Sequence, residues 1–416
     1  MTTAGTPASE STPLKPYVFS QRAQKLTSST IREILKVTER PEVISFAGGL
    51  PSPTGFPVDT INAAFDRVLR DNGRAALQYG PTEGYRPLRE WVANDLKRVG
   101  ADDVQVDEIL IVSGSQQALD MLGKLFIDPG SKVLVEDPSY LGALQSFSLF
   151  EPVYQTVPTD GGGLIPESLT PERAEGARFL YALPNFQNPT GTTLNLERRK
   201  ELVKRCAELR VPIIEDDPYG DLRYAGEPLP GLLGLGRAAG ATVIRLGSFS
   251  KVLAPGLRLG YIAAPKEIIA KLVQIKQATD LHTATLTQMA VYETIKDGFL
   301  DFHLPAVRDL YKEQCGYMLA ALEEYFPASA TWTRPEGGMF LWVTLPEHID
   351  AYELLDRAIA NNVAFVPGAP FYAGDEVKSN TLRLSFVTVP EDRIREGVAI
   401  LGRLIAESAA AAVRAA

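Results

Sequence analysis

The stretch VIRLGSFSK at residues 243–251 joins an apolar, β-branched run to two serines and a lysine, and Arg258 follows seven residues later. The apolar run predicts a strand, and the polar residues after it mark the carboxyl end of that strand. The amine of Lys251 can form a Schiff base with a carbonyl compound. Ser248, Ser250 and Arg258 can bind phosphate oxygens. Taken alone, the same residues also fit a serine that caps a helix, followed by a solvated lysine.

Apolar runs of this kind recur through the middle of the chain and alternate with helical patterns such as Gln117–Phe126 and Leu196–Leu209. The predicted strands are Ile109–Val112, Lys132–Val135, Phe179–Leu183, Pro212–Glu215, Val243–Leu246 and Leu259–Ala263. This alternation predicts an α/β fold in which helices cover both faces of a largely parallel sheet. Ligands bind at the carboxyl ends of strands in such sheets, so the polar residues there mark a candidate site, although most strand ends carry ordinary turn residues.

The chain after about residue 305 has a different pattern. A long helical stretch, Ala306–Tyr325, precedes the apolar run Gly337–Val343, and a further helical stretch precedes Leu382–Phe386. This order predicts a smaller α+β domain, which a predicted N-terminal helix at Thr30–Thr38 joins. The chain is therefore divided into a disordered leader (1–15), an N-terminal segment joining the small domain (16–60), a large domain (61–304) and the small C-terminal domain (305–416).

Composition and charge narrow the possible partners. The 416 residues are 45% hydrophobic and 22% charged, which is an ordinary globular balance with material for a large core. The net charge of −9 disfavours nucleic acids and anionic membrane surfaces. No apolar run reaches the roughly 18 residues of a membrane span. Cys206 and Cys315 lack CxxC spacing, which fits a reducing compartment. We therefore expect a cytoplasmic protein with neither nucleic acid nor membrane as partner.

The sequence lacks the companion motifs of several other enzyme classes. Ser248–Lys251 matches the S-x-x-K signature of serine β-lactamases, but S-D-N and K-T-G do not occur in the sequence. A G-x-S-x-G elbow is also missing, and the three histidines lack metal-ligand spacing. The glycines near Gly234 miss the dinucleotide fingerprint by one residue.

Three further strand ends carry residues that suit a phosphorylated nitrogen ring. Asp216 ends a predicted strand, with Tyr219 three residues on; its carboxylate can keep a ring nitrogen protonated, or it can cap the turn at Pro218. Asn188 precedes a proline, which is a turn signal, and its amide can also donate to a phenolate-like oxygen. Ser115 opens a helix, where it can be a simple N-cap or part of a phosphate site.

Taken together and in this order, these motifs resemble one family: the pyridoxal-phosphate-dependent aminotransferases of fold type I, class I/II. The resemblance rests on NPTG at 188–191, EDDPY at 215–219 and SFSK at 248–251 with Arg258, and it extends from Phe46 to Leu384. SFAGGLPSP at 45–53 and QYGPTEG at 78–84 are similar to the branch that contains α-aminoadipate, kynurenine and broad-range aromatic aminotransferases. The resemblance implies a large domain built on a mostly parallel seven-stranded sheet and a smaller α+β domain.

The resemblance also implies a role for each matching residue around pyridoxal 5′-phosphate. Lys251 forms the Schiff base and moves the proton at the substrate Cα, while Asp216 pairs with the ring nitrogen and keeps the ring an electron sink. Tyr219 and Asn188 donate to the phenolic oxygen. Tyr140 stacks on the ring, unless it is an ordinary core aromatic. The residues implied to bind the phosphate are Ser115, Gln116, Ser248, Ser250 and Arg258.

Substrate and subunit contacts follow from the same resemblance. Arg383 would bind the substrate α-carboxylate as a bidentate pair, and Gly49 and Asn188 would also contact the substrate. Tyr79 would reach the phosphate of the neighbouring subunit, which implies a homodimer. Arg22 lies on an N-terminal segment that covers the pocket in this branch and can meet a distal carboxylate, but it fits a surface arginine equally well.

The implied activity is transfer of an amino group from an L-amino acid (2-aminoadipate, aromatic, or branched or aliphatic) to a 2-oxo acid such as 2-oxoglutarate. A β-lyase, decarboxylase or racemase would use the same Lys251 and Asp216, so these activities stay open. So does the effector-binding domain of a bacterial transcription regulator. About 20 residues precede the first matching helix, too few for the DNA-binding domain that such a regulator needs.

Overall fold

The computed structural model describes residues 17–24, 34 and 40–415, with side chains up to residue 409. Its strands, in chain order, are β1 (Ile44–Ser45), β2 (Ile109–Val112), β3 (Lys132–Asp137), β4 (Val153–Asp160), β5 (Gly163–Leu164), β6 (Ala177–Ala182), β7 (Ile213–Asp216), β8 (Val243–Ser248), β9 (Gly260–Ala263), β10 (Thr331–Trp332), β11 (Phe340–Thr344), β12 (Val363–Ala364), β13 (Val366–Pro367) and β14 (Thr381–Ser385).

The α-helices are α1 (Gln21–Gln24), α2 (Val58–Ala76), α3 (Arg86–Asp95), α4 (Ser115–Phe126), α5 (Leu141–Ser148), α6 (Pro171–Ala174), α7 (Leu196–Leu209), α8 (Leu232–Ala239), α9 (Lys266–Thr279), α10 (Thr285–Ile295), α11 (Phe299–Tyr325), α12 (Ala351–Ala360) and α13 (Glu391–Ala415). Within the described ranges, no helix has both the length and the apolar character that a membrane span requires.

The large sheet has eight strands in the described part of the chain, in the order β2-β9-β8-β7-β6-β3-β4-β5. Strands β8, β7, β6, β3 and β4 pair in parallel. Strand β9 is antiparallel to both β2 and β8, and β5 is antiparallel to β4. The predicted seven-stranded, mostly parallel sheet corresponds to the longer strands. The eighth strand, β5, has only two residues, too few to produce an apolar run in the sequence.

The apolar strand runs are explained by two buried faces. Ile213 belongs to a core on one face of the sheet, and Ile214 belongs to a core on the other face. Because successive strand side chains point to opposite faces, a strand that is covered on both sides is apolar throughout. Because β3, β6, β7 and β8 are parallel, their carboxyl ends lie on the same side of the sheet. The first polar residues after these strands lie there.

The small sheet has the order β10-β11-β14-β13 and is antiparallel throughout. Strand β1 pairs in parallel with β12, so the N-terminal segment packs with this part of the molecule. Of the predicted helix Thr30–Thr38, only Ile34 is described, and it is helical and buried in this core. The rest of that helix and the predicted leader (1–15) lie outside the described residues.

Helix α11 connects the two cores. Leu304 packs in a core of the large sheet, whereas Val307 packs in the core of the small sheet. The predicted helix began at Ala306, because a proline interrupts the usual hydrogen bonds of a helix. The observed helix begins at Phe299 and contains Pro305 in its interior. The domain boundaries at residues 60 and 304 remain predictions, and the second of them falls inside this helix.

Candidate active site

Lys251 lies just beyond the end of β8, where it meets the N-terminal segment. The amide of Ser250 donates to Ser248 Oγ over 3.1 Å, which shapes the turn before the lysine. Lys251 Nζ donates to the carbonyl oxygen of Gly49 over 2.9 Å. Burial, together with the nearby cations of Arg383 and Arg258, lowers the pKa of Lys251 to about 8. The lowered pKa increases the fraction of the amine that is neutral near physiological pH, which is the form that a nucleophile or base requires.

Asp216 is buried at the end of β7. The hydroxyl of Tyr181 donates to Asp216 Oδ2 over 2.6 Å, whereas Oδ1 has no hydrogen-bond partner among the residues described. Burial raises the pKa of Asp216 to about 7, against the effect of the Tyr181 hydrogen bond. A buried carboxylate oxygen without a donor is unfavourable. This oxygen therefore suits a ligand that brings a cationic N–H group.

Arg383 on β14 is also buried, and its described hydrogen bonds go to neutral acceptors. It donates from Nη1 to Asn188 Oδ1 over 2.8 Å and from Nη2 to the carbonyl oxygen of Ala47 over 2.9 Å. Its guanidinium lies 4.3 Å from the ring centre of Phe340. Burial lowers the pKa of Arg383 to about 10, so the group still carries its charge at neutral pH. A buried cation without a carboxylate partner in the described part of the chain suits an anionic ligand.

Three side chains surround the space between Asp216 and Arg383. Burial raises the pKa of both Tyr219 and Tyr140, so their hydroxyls stay protonated. The oxygen of the Asn188 amide is engaged by Arg383, and this orients the NH₂ group of the amide away from the guanidinium. Tyr219 and Asn188 therefore carry hydrogen-bond donors close to each other; their predicted role toward a cofactor stays a prediction.

A candidate phosphate site lies at the start of α4. Gly114 precedes this helix with φ +85°, and a Cβ there would lie 2.6 Å from Arg258 Nη2. Arg258 donates to the carbonyl oxygens of Ser113 and Pro255 over 3.4 and 3.3 Å, and no ion pair of Arg258 occurs within the described ranges. The guanidinium therefore lies beside the amino end of a helix, and both features attract anions. Gln116 is held nearby by a 3.1 Å bond from Nε2 to the carbonyl oxygen of Gly142.

Two predicted site residues do not join this group. Tyr79 is 78% exposed, and its ring makes an edge contact with His282 at 5.8 Å between centroids. Arg22 is exposed on α1, a helix without a buried residue. The structure therefore places both on the surface of the single chain.

Sequence reasoning missed Tyr181 and the ion cluster beside it. Arg245 bonds Glu215 over 2.6 Å and Asp217 over 2.7 Å, and all three groups are buried. Arg245 and Tyr181 lie inside runs whose apolar neighbours predicted strands. In the sequence, the only sign of a special role was a polar side chain within an apolar run. The register of the sheet is needed to see which residues those side chains contact.

A cavity of about 430 Å³ lies elsewhere, between α3, α11 and the ends of β7 and β8. Trp91, Arg98, Arg223, Arg308 and Tyr261 line it. Ser248 is the one predicted site residue that it contains, so it is separate from the space that Lys251, Asp216 and Arg383 surround.

Comparisons with known proteins identify the family of this chain. The family model described as aminotransferase class I and II matches residues 43–401. The chain is 48% identical to the 2-aminoadipate transaminase of Thermus thermophilus, over 93% of this chain and 96% of the relative. It is 45% identical to the aromatic-amino-acid aminotransferase 1 of Thermococcus litoralis, over 94% of each chain. A solved α-aminoadipate aminotransferase of Thermus thermophilus, complexed with N-(5′-phosphopyridoxyl)-L-leucine, has a TM-score of 0.87 and 46% identity, over 94% of this chain and 98% of that one.

Proposed function

Since this chain belongs to the aminotransferase class I and II family and is a pyridoxal-phosphate-dependent aminotransferase of fold type I, we propose that its amino donor is 2-aminoadipate, an aromatic amino acid, or a branched or aliphatic L-amino acid. The acceptor is a 2-oxo acid such as 2-oxoglutarate. The names of the relatives support this range, because they include both a 2-aminoadipate and an aromatic enzyme. The observation that carries the proposal is the buried Arg383, a cation without a carboxylate partner in the described residues.

The residues present fit pyridoxal 5′-phosphate. The free Oδ1 of Asp216 would take the ring N–H, and the amino end of α4 would take the phosphate together with Arg258. Tyr140 would stack on the ring. When bound, the cofactor supplies a carbonyl for the amino group and an electron sink for charge that develops at the substrate Cα. The remaining phosphate contacts in the proposal are Ser115, Gln116, Ser248 and Ser250.

Lys251 is the proposed general base. Its Nζ takes the proton from the substrate Cα and later returns a proton, which requires the neutral amine that a pKa of about 8 provides. Tyr219 and Asn188 donate to the phenolic oxygen of the cofactor and fix the plane of its ring. Arg383 holds the α-carboxylate and aligns the Cα–H bond with Nζ, since a bidentate guanidinium fixes orientation as well as charge. Gly49 contributes its backbone to the same carboxylate.

The proposal also covers assembly and location. The active form is a homodimer in the cytoplasm, with Tyr79 reaching the phosphate of the neighbouring site. The 78% exposure of Tyr79 in the single chain supports this role, because a large aromatic at the surface suits a subunit interface. Residues 61–304 form the cofactor-binding domain, and residues 16–60 pack with the small domain (305–416).

A half-reaction screen tests the activity and the donor range together. The cofactor-loaded protein is mixed with single amino acids, and the loss of the cofactor's visible absorption band is followed until 2-oxoglutarate restores it. We expect 2-aminoadipate, aromatic or aliphatic donors to remove the band, and Lys251→Ala to abolish turnover. Wild-type turnover by Lys251→Ala would overturn the proposal. Products formed equally without any 2-oxo acid would point to the β-lyase, decarboxylase or racemase alternative.

Arg22 needs its own comparison. If it binds a distal carboxylate, Arg22→Ala raises KM for 2-aminoadipate about tenfold or more and leaves KM for leucine unchanged, because one charged hydrogen bond is lost. Equal KM values for both donors in the variant and the parent would identify Arg22 as a surface residue.

A further inference from the structure

Tyr181 contacts the Asp216 carboxylate from the neighbouring strand. Tyr181 on β6 lies opposite Ile214 on β7, and Asp216 is two residues further along that strand. Side chains alternate along a strand, so Tyr181 and Asp216 point to the same face of the sheet. The 2.6 Å bond from the Tyr181 hydroxyl is the one hydrogen bond to this carboxylate among the described side chains. One carboxylate oxygen is thus held by the protein, and the other is free.

The position of the phenol ring is itself fixed. Tyr181 is fully buried, and its ring packs edge-on against Phe147 at 5.7 Å between centroids. Burial, with the negative charge of Asp216, raises the pKa of the Tyr181 hydroxyl well above its ordinary value. The hydroxyl therefore keeps its proton and presents it to Asp216 throughout the accessible pH range.

A neutral hydrogen-bond donor such as the Tyr181 phenol affects the Asp216 carboxylate differently from a cation. The charge of Arg245 acts on Asp216, but Arg245 is engaged in ion pairs with Glu215 and Asp217. An arginine bonded directly to Asp216 would neutralise the carboxylate and weaken its attraction for a protonated ring nitrogen. A phenol orients the carboxylate and favours its ionised form without adding a positive charge.

We propose that Tyr181 is a positioning residue that keeps Asp216 ionised, with its free oxygen toward the cofactor, and so determines how tightly the cofactor's ring nitrogen holds its proton. This inference rests on the proposed function, because Asp216 must be the partner of that nitrogen. Tyr181 touches neither cofactor nor substrate and acts through Asp216 alone. Its removal should therefore affect interactions of the ring nitrogen and spare the rest of the site.

Two cofactors, one with and one without the ring nitrogen, isolate the effect of Tyr181 on the pairing of Asp216 with that nitrogen. The Tyr181→Phe variant and the parent chain are each stripped of cofactor and titrated with pyridoxal 5′-phosphate, and separately with its deaza analogue, in which C–H replaces the ring nitrogen. Tyr181→Phe should weaken binding of the natural cofactor by about tenfold or more, the cost of a hydrogen bond to a charged group. Binding of the deaza analogue should stay within about twofold of the parent, because Asp216 cannot pair with a C–H group.

Tyr154→Phe is a matched control. Tyr154 is a second tyrosine of the same sheet, and its hydroxyl donates to the carbonyl oxygen of Leu144 over 2.8 Å. Its loss removes the hydroxyl of a partly buried phenol away from Asp216 and should change neither affinity.

A spectroscopic titration of the loaded protein gives a second readout. Tyr181→Phe should lower the pH at which the ring nitrogen loses its proton. The other titratable and charged groups around Asp216 and Tyr181 are Tyr140, Tyr219, Asp217, Arg245 and Glu136. They are the same in both proteins, so the difference between the two titrations reports Tyr181.

The outcomes separate the inference from its premise. If Tyr181→Phe weakens both cofactors equally, Tyr181 supports the pocket in general and the inference is overturned. If the parent chain binds the deaza analogue as tightly as the natural cofactor, the proposed role of Asp216 fails instead. An unchanged titration of the ring nitrogen in the variant would also reject the inference.

Discussion

Asp216 lowers the stability of the cofactor-free chain at neutral pH. Its pKa is about 7 in the folded chain against an ordinary value of 3.8, so folding favours the protonated form. Below about pH 4 the group is protonated in both folded and unfolded chains and has no cost. As the pH rises from 4 to 7, the unfolded chain releases its proton first and stability is lost. The loss approaches about 4 kcal/mol above pH 7, at roughly 1.4 kcal/mol per pKa unit.

Asp216→Asn should therefore stabilise the cofactor-free chain at pH 8 and weaken its binding of the cofactor. Asparagine removes a buried charge that forms no ion pair among the described residues, and we expect a rise in Tm of a few degrees at pH 8 that disappears near pH 4. Thermal unfolding of the stripped protein at both pH values measures this.

Asp217→Asn should have the opposite effect on the stability of the cofactor-free chain. Asp217 is paired with Arg245 at 2.7 Å, so its loss leaves a buried cation with fewer partners and should lower Tm at pH 8. A lower Tm for Asp216→Asn at pH 8 would show that Asp216 is compensated in the cofactor-free chain and contradict the expectation.

The site residues that belong to a recognisable sequence motif could be predicted from the sequence. The residues that position them could not. Lys251 and Asp216 stand in segments whose order resembles a known family; the structure places Lys251 near Arg383, and it places Tyr140 and Tyr219 near both Asp216 and Arg383. Tyr181 has no motif, because its role depends on which residue of β7 lies next to it. The stacking of Arg383 on Phe340 was also unpredictable, since it joins two strands of the small sheet through their register.

At the scale of elements, the turn between β2 and α4 decides where Arg258 can lie. Gly114 has φ +85° and ψ 161°, a backbone conformation that is essentially restricted to glycine and costs other residues about 1–3 kcal/mol, and a Cβ would also contact the guanidinium at 2.6 Å. Gly114→Ala should displace Arg258 from the amino end of α4 and weaken cofactor binding about tenfold or more, as expected for a lost charged contact. Equilibrium titration with pyridoxal 5′-phosphate measures the loss.

Gly130→Ala controls for backbone strain alone. Gly130 has φ +82°, but a Cβ there meets nothing within 4 Å. Both variants should lose stability through the positive φ, while only Gly114→Ala should lose cofactor affinity. Equal affinities in the two variants would mean that Arg258 is not displaced or does not hold the phosphate.

The sequence predicted most of the elements around the site because their signals are local. Helix α7 has its predicted bounds, and the Asn195 side chain caps it by accepting from the amide of Arg198 over 2.9 Å. Strand β5 could not be predicted, because its two residues depend on pairing with β4. The early start of α11 was missed because the packing of Leu300 and Leu304 in the core stabilises a turn that Pro305 disfavours.

At the scale of the whole molecule, the site joins parts of the chain that are far apart in sequence. Gly49 of the N-terminal segment accepts a hydrogen bond from Lys251, and Ala47 accepts one from Arg383 of the small sheet. The N-terminal segment therefore connects the base to the proposed carboxylate site. Tyr79 and Arg22 lie outside this arrangement, and the exposure of Tyr79 is the reason for proposing that it completes the site of a second subunit.

Mixed dimers test whether Tyr79 acts on the neighbouring site. Tyr79→Ala and Lys251→Ala, each alone, should have strongly reduced or no activity. When the two variants are unfolded together and refolded as a mixture, half of the dimers pair one variant with the other. In each such dimer, one site combines an intact Lys251 with an intact Tyr79 from the other subunit, so about a quarter of full activity should return.

Because every subunit carries one substitution, a Tyr79 that served the site of its own chain could not restore any activity in the mixture. Activity that stayed at the mean of the two separate variants would therefore place Tyr79 at its own site or outside the chemistry. Refolding each variant alone gives the baseline for that mean.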